Sequence, residues 1–171
     1  SCCSNFGFRH YIAAAAEAMA KAQGLRVVML GDALEGEARE VAAKMAQTAL
    51  QARSTTPVLL LSGGELTVTK RGDGIGGPNA EFCLALALAL NGASGIHAIA
   101  CDTDGVDGAA EVAGAVIGPD TLAKAQAAGV NPALALSRND AHSFFAAIGD
   151  QVVTGPTLTN VNDFRAILVL P

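Results

Sequence analysis

Tryptophan is absent from this 171-residue chain, tyrosine occurs once, and aromatic residues make up only 4%. A surface that stacks nucleobases is therefore not expected. The core has to be assembled from Ala, Val, Leu and Ile, the usual composition of Ala-rich helices on Val/Leu strands. An excess of basic residues is missing too. The net charge is -5 and no Lys/Arg stripe is present, so nucleic acid is not expected as a partner. No apolar run reaches the roughly 18 residues of a membrane span. The longest, CLALALALNGASGIHAIAC, is interrupted by Asn91, Gly92 and Gly95. No secretory signal is visible. Four cysteines are present, but without the spacing of a disulfide framework or a metal site. Cys83 and Cys101 read as buried free thiols inside apolar elements, and Cys2 and Cys3 have no paired Cys or His near them. A reducing cytoplasm fits this usage.

What is present is an alternation of helical and strand patterns. Residues 1–23 form an N-terminal segment with an Ala-rich helix, RHYIAAAAEAMAKAQ, stopped by Gly24. From 24 to 171 the chain reads as one domain. RVVML (Arg26–Leu30) and PVLLL (Pro57–Leu61) are continuous apolar runs of the kind found in strands buried on both faces. A long helix over Gly36–Arg53 separates them. ELTVTK (Glu65–Lys70) alternates, and the Ser-Gly-Gly turn before it predicts a hairpin with the Pro57 strand. A helix over Asn79–Asn91, a strand over Gly95–Ala100, three short helices from Thr121 to Ile148, and strands at Gln151–Thr154 and Arg165–Leu170 complete the reading. The expected fold is α/β, a layered α/β/α arrangement on a mixed, mostly parallel sheet of about six strands.

Three loops follow strands, where ligand sites gather in open α/β sheets. In RGDGIGGPNAEF, Gly72, Gly74 and Gly77 match G-x-G-x-x-G between a strand and a helix. Three readings are open: a dinucleotide fingerprint, an anion-facing loop with Lys70 and Arg71 beside it, or a structural turn. Asp73 inside the loop, and a preceding strand that reads as a hairpin arm, count against the dinucleotide. In CDTDGVDGAAEVAG, Asp102, Asp104, Asp107 and Glu111 suggest either Mg²⁺ shared with substrate phosphates or an Asx-rich turn. The EF-hand pattern fails, because Asp107 stands where the invariant glycine belongs. TGPTLTNVND (Thr154–Asp163) is dense in hydroxyl and amide groups, which suits a sugar acid or phosphate as well as local backbone bonding. His97 reads as a satisfied core residue, His10 as exposed, and His142 as the opening of a helix, and no Ser-His-Asp order includes them.

LGDALEGEAREVA, LLSGGELTVT, the glycine loop with NAEF, DTDGVDGAAEVAGAV, NDAHSFF and TGPTLTNVNDFRAILV occur in that order. Together they resemble the MOFRL family, the C-terminal region of class II glycerate 2-kinases, which are often labelled hydroxypyruvate reductase. The resemblance spans Gly24 to Leu170. It implies phosphorylation of D-glycerate at its 2-hydroxyl with ATP and Mg²⁺, in a cleft between two α/β domains. The larger N-terminal domain, which brings a catalytic lysine, is not in this sequence. The expectation is one half of a kinase, inactive alone or dependent on a partner chain that supplies the missing half. The alternatives are a small-molecule or nucleotide-binding module and a homo-oligomeric interaction protein. NAD is not expected.

By the same resemblance the substrate-binding positions are Gly64, Glu65, Gly76, Gly77, Asn79, Glu81, Thr103, Asp104, Asp107, Asn160, Asn162 and Asp163, with Asp104 and Asp107 as Mg²⁺ ligands. Three positions depart from the family pattern. Pro78 replaces an arginine expected to face the substrate's negative charge, a role that needs a fixed guanidinium. Ala80 replaces a glutamine. Asp102 replaces a glycine before Thr103-Asp104-Gly105.

Overall fold

The computed structural model describes residues 6–31, 33–108, 111–155, 157 and 163–171, with side chains from residue 14 onward. Helix α1 (Phe6–Ala22) ends where Gly24 takes a φ of +77°. A short turn leads into strand β1 (Arg26–Gly31), which is followed by β2 (Gly36–Glu37) and α2 (Ala38–Gln51). Then come β3 (Val58–Gly63), β4 (Leu66–Thr67) and α3 (Pro78–Leu90). After β5 (Ile96–Asp102) and β6 (Gly114–Ile117) lie three short helices, α4 (Thr121–Ala127), α5 (Pro132–Ser137) and α6 (Ala141–Ile148). Strands β7 (Gln151–Val152) and β8 (Asp163–Val169) complete the order. None of the described helices is long and apolar enough to cross a membrane.

The six-stranded sheet has the order β1-β3-β8-β5-β6-β7. It is mixed, as expected, but not mostly parallel. Only β1 and β3 pair in parallel, while β3–β8, β5–β8, β5–β6 and β6–β7 are antiparallel. The cause is β8, which returns from the far end of the chain and inserts between β3 and β5, reversed against both. The hairpin expected after β3 does not form, because both of its edges are taken, by β1 and by β8. Gly64, at φ +99°, turns the chain away, and a Cβ there would lie 2.3 Å from the backbone nitrogen of Leu34. Only Leu66–Thr67 remains a strand, paired in parallel with Gly36–Glu37 in a separate two-stranded sheet. β6 was not expected from the sequence, since its four residues lie beside an Asp/Gly-rich loop.

The inner face of the sheet carries the core. Leu60, Ile96, Ala98, Ala115, Ile117 and Ile167 are buried there beneath the helices. α3 is apolar all round, as a helix buried on every side must be, and packs on α2, β5, β6, α5 and α6. Pro78 opens it at a position where the missing N–H costs nothing, and Asn91, left-handed at φ 47°, ends it. Phe144 and Phe145 meet edge to face with centroids 5.1 Å apart, supplying part of the scarce aromatic volume. The outer face is covered differently. α1 lies over β1 and β3. The outward side chains of β8 alternate as half-buried against the fully buried inner ones.

Ile167 and Leu168 are neighbours on β8 that point to opposite faces. Ile167→Ala should lower unfolding free energy by about 2–5 kcal/mol. Leu168→Ala should lower it by well under half as much, and urea denaturation of the two variants checks the assignment of faces.

Candidate functional site

β1, β3 and β5 run in one direction, so their C-terminal ends share an edge of the sheet. β8 enters at that edge with Asp163 directly opposite Asp102. The N-terminus of α3 and the loop from Thr103 to Gly108 lie there too, which is where a ligand site is expected in such a sheet.

The carboxylate of Asp107 is fully buried against the start of α3. Its Oδ1 accepts from the Asn79 backbone N–H at 3.0 Å and from the Asn79 side-chain amide at 3.2 Å. Its Oδ2 accepts from the Ala80 N–H at 2.8 Å and lies 3.1 Å from Nε2 of His142, itself buried. The positive end of the helix dipole and its first free N–H groups are thus already satisfied from within the chain. Asn79 continues the network by donating to Asp163 Oδ1 at 2.7 Å. Asp163 Oδ2 pairs with Arg165 at 3.3 Å, and Arg165 donates to the carbonyls of Gly63 at 2.7 Å and Gly64 at 3.0 Å.

A second network holds the glycine loop. Glu81, fully buried, accepts from Arg39 at 2.6 Å and from the Asn139 amide at 2.9 Å. Asn139 Oδ1 in turn accepts from the N–H groups of Arg71 at 2.6 Å and Gly72 at 2.9 Å. Gly74 donates to the Arg138 carbonyl and Ile75 to the Asp140 carboxylate. The glycines are required by close packing. A Cβ at Gly72, Gly74, Gly76 or Gly77 would come within 2.4, 2.4, 2.6 and 2.4 Å of Arg138 O, Asp140 Cβ, Asn139 O and Asp107 Cγ. In this loop the N–H groups of Arg71, Gly72, Gly74 and Ile75 are bonded to Asn139, Arg138 and Asp140, which favours the structural-turn reading over the dinucleotide and anion-facing ones. It is a structural turn strapped to the segment before α6.

The expected site residues therefore divide. Asn79, Glu81, Asp107 and Asp163 are buried and bind other parts of the chain. Both oxygens of Asp107 are engaged by α3 and His142, which leaves the expected Mg²⁺ role better suited to Asp104. Among the described residues no three His, Cys, Asp or Glu side chains converge as a cation site. Glu65 is exposed, Thr103, Asp104 and Gly76 are half-buried, and Gly64 and Gly77 are buried backbone positions. Asn160 and Asn162 lie outside the described residues. The sequence did not single out His142, Arg165, Arg39 or Asn139, which hold the site loops together. His97 is exposed on the outer face rather than satisfied in the core.

The outward part of the edge is acidic. Asp104 N–H donates to Asp102 Oδ1 at 3.0 Å, and Val106 N–H to Asp104 Oδ1 at 2.8 Å, forming two successive Asx turns. Burial, with the charges of Asp104 and Asp163, pushes the Asp102 carboxyl up to about 6. Burial also raises Asp163, opposed by its bonds to Asn79 and Arg165, and lifts the Cys101 thiol to about 11. Cys83 and Cys101 are free thiols, the first buried and the second half-buried.

The sequence model of the MOFRL family matches residues 58–163. A protein of Agrobacterium vitis provisionally named hydroxypyruvate reductase is 55% identical over 162 residues, covering 91% of this chain and 37% of the relative. D-glycerate 2-kinase of Thermotoga maritima is 36% identical over 160 residues, covering 91% of this chain and 38% of that enzyme. The crystal structure of a Thermotoga maritima glycerate kinase superposes with a TM-score of 0.86 at 34% identity, over 91% of this chain and 39% of that one. The chain thus spans less than two fifths of the length of these relatives.

Because its folded-state value is raised, Asp102 favours the native state below pH 4 and disfavours it progressively as pH rises through about 6. Asp102→Asn should therefore raise the melting temperature at pH 7.5 relative to the parent and leave it nearly unchanged at pH 4. Thermal unfolding across that range is the check.

Proposed function

This chain belongs to the MOFRL family, and from that premise we propose that it forms the sugar-acid half of a glycerate 2-kinase site. The reaction is transfer of the ATP γ-phosphoryl group to the 2-hydroxyl of D-glycerate. It proceeds only when a complementary polypeptide, corresponding to the rest of the relatives' length, closes the other side. A cytoplasmic setting, where Mg-ATP is available, goes with this reading.

One observation carries it. The sheet edge carries the carboxylates of exposed Glu65 and half-buried Asp104, while its buried cation is turned inward. Arg165 is occupied by Asp163 and the carbonyls of Gly63 and Gly64. Phosphoryl transfer depends on positioning and on neutralising the charge of the transferred group. An edge of this charge cannot bind a triphosphate and a carboxylic acid unaided. On this reading Asp104 shares a Mg²⁺ with nucleotide phosphates, as one carboxylate among phosphate and water ligands. The counter-charge for glycerate has to come from elsewhere, because Pro78 occupies the position where the family carries arginine. Pro78 suits the first turn of α3 but offers no donor.

The test is an ADP-release assay with D-glycerate and Mg-ATP, run beside a thermal-shift series on the parent chain and on Pro78→Arg. The isolated parent should release no ADP above background. Pro78→Arg should bind D-glycerate about 10-fold more tightly, the order expected of a charged hydrogen bond, and show the larger shift. Turnover by the isolated parent would contradict the need for a complement. Equal shifts for the two proteins would remove glycerate from the reading.

A further inference from the structure

The two faces of the sheet are covered unequally. Among the described residues, five helices lie on the inner side and α1 packs on the outer side, over β1 and β3. Beyond α1 the outer face is an aliphatic floor of Leu59, Ile99, Val116, Ala166 and Leu168, with exposed His97 beside it, in a hollow of about 380 Å³. Val116 is 36% exposed although it is flanked on its strand by buried Ala115 and Ile117. A second hollow of about 460 Å³, under Ala16, Met19 and Ala20 of α1, shares Leu59 with the first as a lining residue. Met19 on its rim is 72% exposed. A continuous apolar strip along a sheet is what a helix covers in a layered α/β fold.

The rim and the course of the chain narrow the choice of occupant. Lys124 lies 3.0 and 3.1 Å from the two carboxylate oxygens of Asp150 and 3.2 Å from Asp120. Two carboxylates around one ammonium leave that rim with a net negative charge, which favours a cationic flank on whatever docks beside it. α1 is joined to β1 by a short turn and runs back across the strand. Its first turn therefore lies at the same edge as Gly63 and Asp102, on the outer side. A polypeptide that completes the site at that edge has the outer face directly within reach.

We propose that the outer face of β8, β5 and β6 is the docking surface for an amphipathic helix of the complementary polypeptide, with an aliphatic stripe on the floor and a basic flank against Asp120 and Asp150. The helix lies alongside α1 as the second member of the outer layer. This rests on the reading that a complement exists, but not on its chemistry, because docking is observed without turnover.

The probe is the part of the Agrobacterium vitis relative that lies outside the matched region, co-expressed with this chain. The expected result is a 1:1 complex in which hydrogen exchange slows at Ile99, Val116 and Leu168. Val116→Glu and His97→Glu, both at exposed positions, should abolish co-purification while circular dichroism and melting temperature stay near those of the parent. Asp120→Lys should weaken the complex and reduce its salt sensitivity. Leu134→Glu, on exposed α5, should change nothing. Failure to form a complex overturns the proposal. So does a complex that survives both outer-face variants, or one in which protection is confined to the sheet edge. Light scattering supplies the remaining arm. A dimer of this chain that Val116→Glu dissociates would give the outer face to a second copy and overturn the assignment.

Discussion

The carboxylate of Asp107 at the first turn of α3 is the contact on which the rest of the site depends. It satisfies two backbone N–H groups, binds the amide of Asn79 and pairs with His142. Through these partners one buried group ties the start of α3 to α6, and through Asn79 and Asp163 to β8. Removing one partner from such a buried network costs on the order of 1–3 kcal/mol, since the remaining polar group is left unsatisfied. Beside it the glycine loop is bonded to the segment before α6 through the N–H groups of Arg71, Gly72, Gly74 and Ile75. Its glycines serve close packing against residues 138–140 and Asp107.

Much of the architecture was legible in the sequence. The apolar runs at Val58–Leu61 and Ile96–Ala100 are strands, the Ala/Leu run after Pro78 is a buried helix, and Gly24 and Asn91 mark helix ends as their chemistry requires. Pairing was not legible. ELTVTK alternates as a strand should, yet alternation does not name a partner, and β8 from the far end of the chain had already taken the edge that a hairpin needs. The orientation of the expected site residues was not legible in the sequence. Asn79, Asp107 and Asp163 were expected as ligands from the family resemblance. Their inward direction is set by contacts between residues 28 and 84 positions apart. No local pattern contains that information. His142 and Arg165 were missed for the same reason, and only NDAH before a helix offered a local hint.

The unequal covering of the sheet belongs to the same account. A domain whose edge holds carboxylates, whose buried arginine faces inward, and whose outer face, among the described residues, carries one helix is suited to being completed by other polypeptide. The relatives, more than twice as long as the matched region, provide the context for that. Pro78 and Asp102 are two positions at which this chain departs from the resemblance. Both shift the edge toward negative charge, one by omitting a cation and the other by adding a carboxylate.

The most direct measurement is an amide NMR titration of the isolated chain with Mg-ATP and with inorganic phosphate, following Asn79 and Ala80 against Thr103, Asp104 and Gly105. If Asp107 seals the helix terminus, the amides of Asn79 and Ala80 stay unmoved at every concentration, and any change is confined to the Thr103–Gly105 turn. Saturable shifts at Asn79 and Ala80 would show that an anion displaces Asp107. The glycine loop would then be a phosphate cradle, contrary to this account.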